Sequence, residues 1–304
     1  MVSLREAQAA NAALKDSQPA MTAVFAGATN GIGLATLKAF AKHTPQGTAI
    51  IVGRNKARFE PELQKLRSTS PNGTFTFLET DITLLKNVDA VSEEIKKATQ
   101  SIDLLCVSQG FLNFGGRENT SEGLDLSTVL RYYGRVRFIQ NLLPVMTKNA
   151  RVITVLAGGW EGKIFEDDLD LERNYSFLNA NAQYTAMTTL SNDKFAEQNP
   201  DRGFLHVYPG VVNTGMVGRT SSGILGFFLT ILEKLMSYFV IQPDEIGERM
   251  LNLGTTPQFA KGSWSLNYDG EAKNNALLVE AREKGLADKV VEHNQRIFER
   301  ATSS

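Results

Sequence analysis

The sequence predicts a single doubly wound α/β domain with a parallel sheet of about seven strands. Short apolar segments alternate with longer segments of helical pattern along most of the 304 residues. The short segments are apolar at successive positions, which is typical of parallel strands that helices cover on both faces. A glycine-rich turn, "GATNGIG", joins the first strand to the first helix. In such a sheet, ligand-binding loops lie at the carboxyl ends of the strands.

The elements follow one another in the order that this fold requires. Ser3 and Glu6 form a capping-box pattern, so a short helix is expected within an N-terminal extension of residues 1–20. Residues 21–304 form the main domain. The predicted strands cover 22–27, 48–54, 73–82, 102–110, 150–159, 203–210 and 262–270, and the main helices between them cover 33–43, 55–68, 85–100, 126–146 and 182–199.

Two segments depart from the alternation. An acidic insertion at 159–181 separates the fifth strand from its helix, and 215–242 is strongly apolar. Glu233 and Lys234 interrupt the apolar segment, which argues against a transmembrane span. We expect it to form a flap over an apolar substrate, and an interfacial helix is the alternative.

Composition excludes several classes of function. The net charge of −1 creates no field that would attract nucleic acid or an anionic membrane. Cys106 is the single cysteine, and the three histidines are far apart in the sequence, so we expect no disulfide and no metal site. The N-terminal residues lack the apolar core of a signal peptide. The predicted location is therefore cytoplasmic.

The glycines of the first turn have separate physical roles. Gly27 allows a tight turn, Gly31 allows a ligand to approach the backbone, and Gly33 allows the helix to pack closely on the sheet. The N-terminus of the following helix offers unpaired N–H groups and a partial positive charge. This arrangement suits the pyrophosphate of a dinucleotide.

The G-x-x-x-G-x-G spacing resembles that of the short-chain dehydrogenase/reductase family. Asp81-Ile82, "SQG" at 108–110 and "PGVVNT" at 209–214 match further family motifs in order, so the resemblance covers about residues 20–270. It is closest to fungal members from secondary metabolism and implies a Rossmann-type fold. The implied cofactor-binding residues are Gly27, Thr29, Asn30, Gly31, Ile32, Gly33, Arg54, Asp81, Ile82, Gly110, Pro209, Gly210, Val212 and Thr214.

Arg54 indicates which dinucleotide binds. Family members that prefer NAD place an acidic residue at the end of the second strand, where it binds the ribose 2′-hydroxyl. This chain has Arg54 there, and a guanidinium pairs well with a 2′-phosphate. The predicted cofactor is NADP(H).

The catalytic residues that the resemblance implies are mostly replaced. The family uses an asparagine, a serine, a tyrosine and a lysine four residues after the tyrosine. Here Arg131, Ala157 and Thr188 stand at the asparagine, serine and lysine positions, and only Tyr184 remains. A tyrosine without a nearby ammonium is a poor base at neutral pH, so ordinary alcohol oxidation should be weak. The candidate catalytic residues are Tyr184 and Arg131.

Three functions follow from this combination. The first is an NADP(H)-dependent reductase that acts on an apolar natural-product carbonyl, enone or iminium with a non-standard site. The second is a non-redox cyclase, isomerase or dehydratase that works by orientation and electrostatics. The third is a non-catalytic cofactor-binding protein. The expected partner is an apolar small molecule, and the family's habit of pairing through two helices makes a homodimer possible.

Overall fold

The computed structural model describes residues 1–16, 20–111, 113–212 and 240–302. One sheet of seven parallel strands forms its centre, in the order β3-β2-β1-β4-β5-β6-β7. The strands are β1 (Thr22–Ala26), β2 (Thr48–Gly53), β3 (Thr74–Glu79), β4 (Ile102–Val107), β5 (Met146–Val155), β6 (Gly203–Tyr208) and β7 (Gly262–Asn267). The prediction of a doubly wound domain with about seven parallel strands is confirmed.

Helices cover both faces of this sheet. They are α1 (Leu4–Ala12), α2 (Gly31–His43), α3 (Lys56–Thr69), α4 (Leu85–Ala98), α5 (Leu126–Thr128), α6 (Gly134–Leu142), α7 (Phe177–Gln198), α8 (Pro243–Thr255), α9 (Ala276–Glu283) and α10 (Leu286–Thr302). A π-helical turn, Val129–Tyr133, joins α5 to α6 so that the three run as one continuous helix. Single π turns in helices are often found at functional sites.

Two apolar layers hold the helices to the sheet. On one face, side chains of α2, α3 and α8 pack against alternate residues of the strands, with Phe25 and Ile51 near the centre. On the other face, α4 and α6 pack against the intervening residues, including Val24 and Val107. The central strands are buried on both faces, as their continuous apolar sequence predicts.

The C-terminal helices add a third layer. α10 packs against α7 and α4, and buries Val290, Ile297 and Phe298. The Tyr132 hydroxyl lies 2.9 Å from the Ser191 hydroxyl oxygen and 2.8 Å from the Asn294 side-chain nitrogen, which links the central helix to α7 and α10. The chain thus covers the outer side of α7 with its own C-terminal residues.

The N-terminal helix is confirmed. The Ser3 hydroxyl accepts from the Glu6 N–H at 3.3 Å, and the Glu6 carboxylate accepts from the Ser3 N–H at 2.8 Å. α1 packs against α8, where the Asn11 side chain donates to the Glu248 carboxylate at 2.7 Å.

Several boundaries differ from the sequence-based expectation. β5 covers Met146–Val155 rather than 150–159, and the helix before it ends at Leu142 rather than at 146. α7 begins at Phe177, because the Ser176 hydroxyl caps it by accepting from the Asn179 N–H, so the end of the 159–181 insertion is helical. Most of the 215–242 flap, and Thr214 before it, lies outside the described residues. Within the described part of the chain, no helix is both long and apolar enough to span a membrane.

Candidate functional site

The glycine turn lies where the strand order reverses, between β1 and β4. Gly27 has a φ of +85°, and a Cβ there would collide with the backbone of Gln109. A Cβ on Gly33 would collide with the Ser108 side chain and lie 2.8 Å from the Gly27 carbonyl oxygen. Both glycines are therefore required by close packing between the first turn and the end of β4.

The N-terminus of α2 is open to an anion. Gly31, with a φ of +56°, begins the helix, and Asn30 precedes it as the N-cap residue. Asn30 makes no side-chain capping bond, so the first N–H groups, including those of Gly31 and Ile32, lack the usual side-chain acceptor. A phosphate supplies such an acceptor.

Gln109 adds a second unsatisfied group beside this turn. Its side chain is 6% exposed, and neither atom of its amide has a hydrogen-bond partner among the described residues. A buried amide without partners costs about 1–3 kcal/mol for each unmet group. The glycine turn, the uncapped helix and this amide together fit a polar dinucleotide.

Arg54, Asp81 and Ile82 follow the carboxyl ends of β2 and β3. The Thr29 methyl group lies 2.5 Å from where a Gly53 Cβ would be, which brings the end of β2 beside the glycine turn. Arg54 is exposed and forms no hydrogen bond or ion pair with the described residues. Asp81 is exposed and accepts from the Thr83 N–H at 3.1 Å, whereas Ile82 is buried.

The loop after β6, residues 209–212, lies at the same carboxyl edge of the sheet, on the other side of β4 from the glycine turn. Pro209 is buried, and Gly210 has a φ of +74° with Ile241 close to its α-carbon. Val212 forms a parallel bridge with Ile241, so the loop is fixed to the residues that precede α8. Thr214, predicted to contact the nicotinamide, lies outside the described residues.

Arg131 lies in the π-helical turn and against the end of β4. Its Cγ is 3.3 Å from where a Cβ on Gly110 would be, and its guanidinium donates to the Asn181 side-chain oxygen. The side chain is only 5% exposed, and burial lowers the pKa of the guanidinium. The arginine that replaces the family's asparagine is thus held at the floor of the cleft beside Gly110.

Tyr184 lies behind Arg131. The Arg131 guanidinium carbon is 6.0 Å from the centre of the Tyr184 ring, and the Tyr184 hydroxyl bonds to the Thr128 hydroxyl. Tyr184 has no exposed surface, and burial raises the pKa of its hydroxyl. The structure brings the two candidate catalytic residues together, and a catalytic part for Tyr184 stays a prediction.

The other two replaced positions have structural partners. The Thr188 hydroxyl donates to the Tyr184 carbonyl at 2.7 Å, one turn back along α7. Ala157 has no polar side chain, and its N–H donates to the His206 ring at 3.2 Å. Neither side chain offers the charge or the hydroxyl that the family uses at these positions.

A second buried arginine, Arg135, lies one turn beyond Arg131. It is 3% exposed, and it donates to the carbonyl oxygens of Val155 at 2.6 Å, Leu130 at 3.3 Å and Gln109. Burial, with the nearby Arg131 charge, lowers the pKa of Arg135 to about 9. It bridges the carboxyl ends of β4 and β5 beneath the cleft.

Aromatic and polar groups lie in or next to the loops that follow β4 and β5, and at the end of β6, at the carboxyl edge of the sheet. The Asn113 amide donates to the Tyr175 hydroxyl at 3.2 Å, and burial raises the pKa of Tyr175. Phe114 contacts Phe177 with ring centres 4.7 Å apart, and Trp160 contacts Tyr208 at 5.6 Å. Phe114 and Trp160 are 60% and 66% exposed, so this edge offers apolar surface to a ligand.

The start of the insertion is fixed by a buried polar network. The Glu161 carboxylate accepts from Thr189 at 2.7 Å, from Ser265 at 2.8 Å and from Asn275 at 2.8 Å. The His206 ring accepts from the Ala157 N–H, so its other nitrogen carries the proton that faces Thr189 at 2.8 Å. Burial lowers the pKa of His206 to about 4 and keeps the ring neutral.

Several residues of the site were not expected from the sequence. For Arg135 a signal existed, because it stands four residues after Arg131 on the same helix. For Glu161 no such signal existed, because nothing in the local pattern distinguishes it from the solvated acidic residues of the same insertion. The unexpected residues are Gln109, Asn113, Arg135, Glu161, Tyr175 and Asn181.

Comparison with known proteins gives a uniform result. A family model described as short chain dehydrogenase matches residues 21–159. The chain is 35% identical to "Oxidoreductase AN1596" of Emericella nidulans, over 99% of both proteins. It is 32% identical to "Short-chain dehydrogenase/reductase SAT2" of Stachybotrys chartarum, over 86% of this chain and 80% of that protein. The solved structure of L-sorbose reductase from Gluconobacter frateurii, complexed with NADPH and L-sorbose, has the same fold, with a TM-score of 0.62 and 18% identity over 84% of this chain and 97% of that one.

Proposed function

Because the chain belongs to the short-chain dehydrogenase/reductase family of oxidoreductases, we propose that it is an NADP(H)-dependent reductase of apolar natural-product carbonyl-type substrates. The observation that carries this proposal is the combination at the first turn. Gly27 and Gly33 leave no room for side chains, α2 has no side-chain cap, and the exposed Arg54 beside them forms no ion pair with any residue that the structure describes. L-sorbose reductase, which shares the fold, was solved with NADPH.

The cofactor would extend along the carboxyl edge of the sheet. The N–H groups at the start of α2 would hold its phosphates, Arg54 its 2′-phosphate, and Asp81 with Ile82 its adenine. Gly110 and the 209–212 loop would border its nicotinamide, which supplies the hydride. The Gln109 amide, buried and unsatisfied, would gain polar partners from the same ligand.

The replaced residues disfavour alcohol oxidation and leave hydride transfer to an electrophilic acceptor as the reaction that the site supports best. Oxidation needs a base for the hydroxyl proton, and Tyr184 is fully buried with its hydroxyl bonded to Thr128. A guanidinium such as that of Arg131 stabilises developing negative charge but is not a proton relay. We propose that Arg131 contacts the substrate. Tyr184 would position Arg131 through the contact between its ring and the guanidinium.

The proposed substrate is largely apolar. Phe114, Phe177, Trp160 and Tyr208 form aromatic surface at the carboxyl edge of the sheet. Aromatic side chains with a few placed polar groups are typical of sites for small organic ligands. The similar fungal oxidoreductases are compatible with a role in natural-product biosynthesis.

The test is a transfer of label. The protein is incubated with NADPH carrying deuterium at C4, in each stereochemical form, and with a panel of apolar enones, ketones and iminium salts. The proposal predicts oxidation of NADPH and one deuterium in the product from one of the two forms. Conversion of a substrate without NADPH oxidation would instead establish the non-redox alternative, and an inability to bind NADPH would refute the proposal.

A further inference from the structure

We infer that the buried pair Arg131 and Arg135 forms a site for an anionic oxygen, so that the substrate is an acceptor that becomes an anion on reduction, such as a conjugated enone. This inference rests on the proposed function for the reaction, but the anion site itself can be measured without cofactor. It selects one of the three acceptor types that the proposed function leaves open.

The first observation is uncompensated charge. Arg131 and Arg135 are both more than nine-tenths buried, and neither forms an ion pair with a described carboxylate. Their partners are neutral: an amide oxygen for Arg131 and three carbonyl oxygens for Arg135. Asp125 attracts Arg131 electrostatically without an ion-pair contact, and its carboxylate accepts from Glu118 and Thr128 instead. Buried charges in proteins are normally paired, so two adjacent cations with no carboxylate in contact among the described residues indicate that an anion is the missing partner.

The second observation is the contrast with Arg137 on the same helix. Arg137 is partly exposed and binds both oxygens of Asp89, at 2.5 and 2.8 Å. Within the described residues, the partly exposed arginine of this helix is therefore paired, whereas the two buried arginines have no carboxylate in contact.

The third observation is location. The Arg131 side chain touches Gly110 at the carboxyl end of β4, and a π-helical turn carries it there. Among the described residues, the Asn181 oxygen is the one hydrogen-bond partner of its guanidinium, so the remaining N–H groups can bind a ligand. Each of the three Arg135 side-chain nitrogens donates to a backbone carbonyl, and the residue adds positive charge beside Arg131.

An enone is neutral before the reaction and develops a negative charge on its oxygen during hydride transfer, which suits the two positively charged arginines at both stages. Hydride from the reduced nicotinamide adds to the β-carbon, the C=C electron pair moves to form the enolate double bond, and the carbonyl oxygen takes the negative charge. Arg131 would hold that oxygen. A proton from water then adds to the α-carbon, so that enone, NADPH and one proton give the saturated ketone and NADP⁺.

An iminium acceptor does not match. It carries a positive charge before hydride transfer, and two neighbouring guanidiniums in a buried site would repel it. A plain ketone would form an alkoxide, which requires a proton at oxygen, and Tyr184, the tyrosine that the family uses as the acid, is fully buried with its hydroxyl bonded to Thr128. Tyr175 also interacts electrostatically with Arg131, but burial raises the pKa of its hydroxyl and makes it a weaker acid. The enolate oxygen needs only charge stabilisation, which is what the two arginines offer.

The experiment compares three probes of similar size and shape that carry a negative, a neutral and a positive group. 3-Phenylpropionate, 3-phenylpropanamide and 3-phenylpropylammonium are titrated into the full-length protein by calorimetry, with and without NADP⁺. The inference predicts that the carboxylate binds about tenfold or more tightly than the amide, and that the ammonium binds weakest. In Arg131→Gln this preference is lost, in Arg131→Lys it is partly kept, and in the matched control Arg137→Gln it is unchanged.

The outcomes separate the two proposals. A carboxylate that binds no more tightly than the amide, including no binding of any probe, overturns the anion site, and so does tightest binding of the ammonium. If Arg131→Gln does not fold, the ranking of the three probes on the wild-type protein still decides. NADPH binding with no carboxylate preference refutes only this inference, and a carboxylate preference without NADPH binding refutes only the proposed function.

Discussion

Replacement of Glu161 by alanine should destabilise the protein more than its place in an acidic loop suggests. The Glu161 side chain has no exposed surface, and its carboxylate accepts hydrogen bonds from four groups: Thr189 at 2.7 Å, Ser265 at 2.8 Å, Asn275 at 2.8 Å and the Gly159 N–H at 3.0 Å. These bonds tie the start of the insertion to α7, β7 and the residue that caps α9.

The expected cost follows from the donors that would remain. The hydroxyls of Thr189 and Ser265 can rotate toward other acceptors. The Asn275 amide keeps its 3.2 Å bond to the carbonyl oxygen of residue 161, but its second N–H and the Gly159 N–H would lose their acceptor. Each buried donor left without a partner costs about 1–3 kcal/mol, so Glu161→Ala should lower the free energy of unfolding by about 2–4 kcal/mol. The substitution also removes the cost of burying the Glu161 carboxylate, so the loss of stability stays below the sum of four charged hydrogen bonds.

Urea denaturation followed by circular dichroism measures this loss. The matched control is Glu271→Ala, since Glu271 pairs with Lys273 in an exposed ion pair and should cost at most about 1 kcal/mol. Glu161→Gln keeps the shape and removes the charge, and it should fall between the two. If Glu161→Ala and Glu271→Ala were equally stable, the buried network would not anchor the insertion.

Three further predictions concern other parts of the chain. The pKa of His206 is about 4 in the folded protein and about 6.5 in the unfolded chain, so the unfolded state binds more protons between pH 4 and 6.5. The free energy of unfolding should therefore fall by about 1.4 kcal/mol for each pH unit as the pH drops through this range. Glu161 and Arg135 are the charged groups that act on His206, and His206→Gln should flatten the dependence in urea titrations at several pH values. Gly33→Ala should weaken NADPH binding at least tenfold in a fluorescence titration, because its Cβ meets the Ser108 side chain and the Gly27 carbonyl, and an unchanged affinity would contradict the role of the turn. Light scattering after size exclusion should find no dimer formed through α6 and α7, because α10 covers α7 and buries Val290, Ile297 and Phe298. A stable dimer that uses α6 and α7 would contradict this prediction.

The parallel sheet and its approximate number of strands were accessible from the sequence because they depend on local patterns. Continuous apolar segments such as Ala23–Ala26 identify buried parallel strands, and the glycine turn identifies the first crossover. The boundaries of α7 were less accessible, because Ser176 acts as a cap only in the folded loop. Whether a polar residue caps a helix is decided by the tertiary path of the chain.

The candidate site was only partly accessible for a different reason. Replacement of the family's serine and lysine by Ala157 and Thr188 is visible in the sequence, but what replaces their function is not. The neutral environment of Arg135 and the burial of Glu161 arise from contacts between residues far apart in the chain. Charge patterns in one sequence do not distinguish a solvated arginine from a buried one.

Calorimetric titration of NADPH and NADH tests the central claim most directly, with Arg54→Ala as the partner variant. The account predicts that the wild-type protein binds NADPH at least tenfold more tightly than NADH, because a charge-assisted contact to the 2′-phosphate contributes about 1.5–3 kcal/mol. Arg54→Ala should lose this preference and keep its affinity for NADH. Absence of heat with either dinucleotide, or an equal affinity for both in the wild-type protein, would contradict the account.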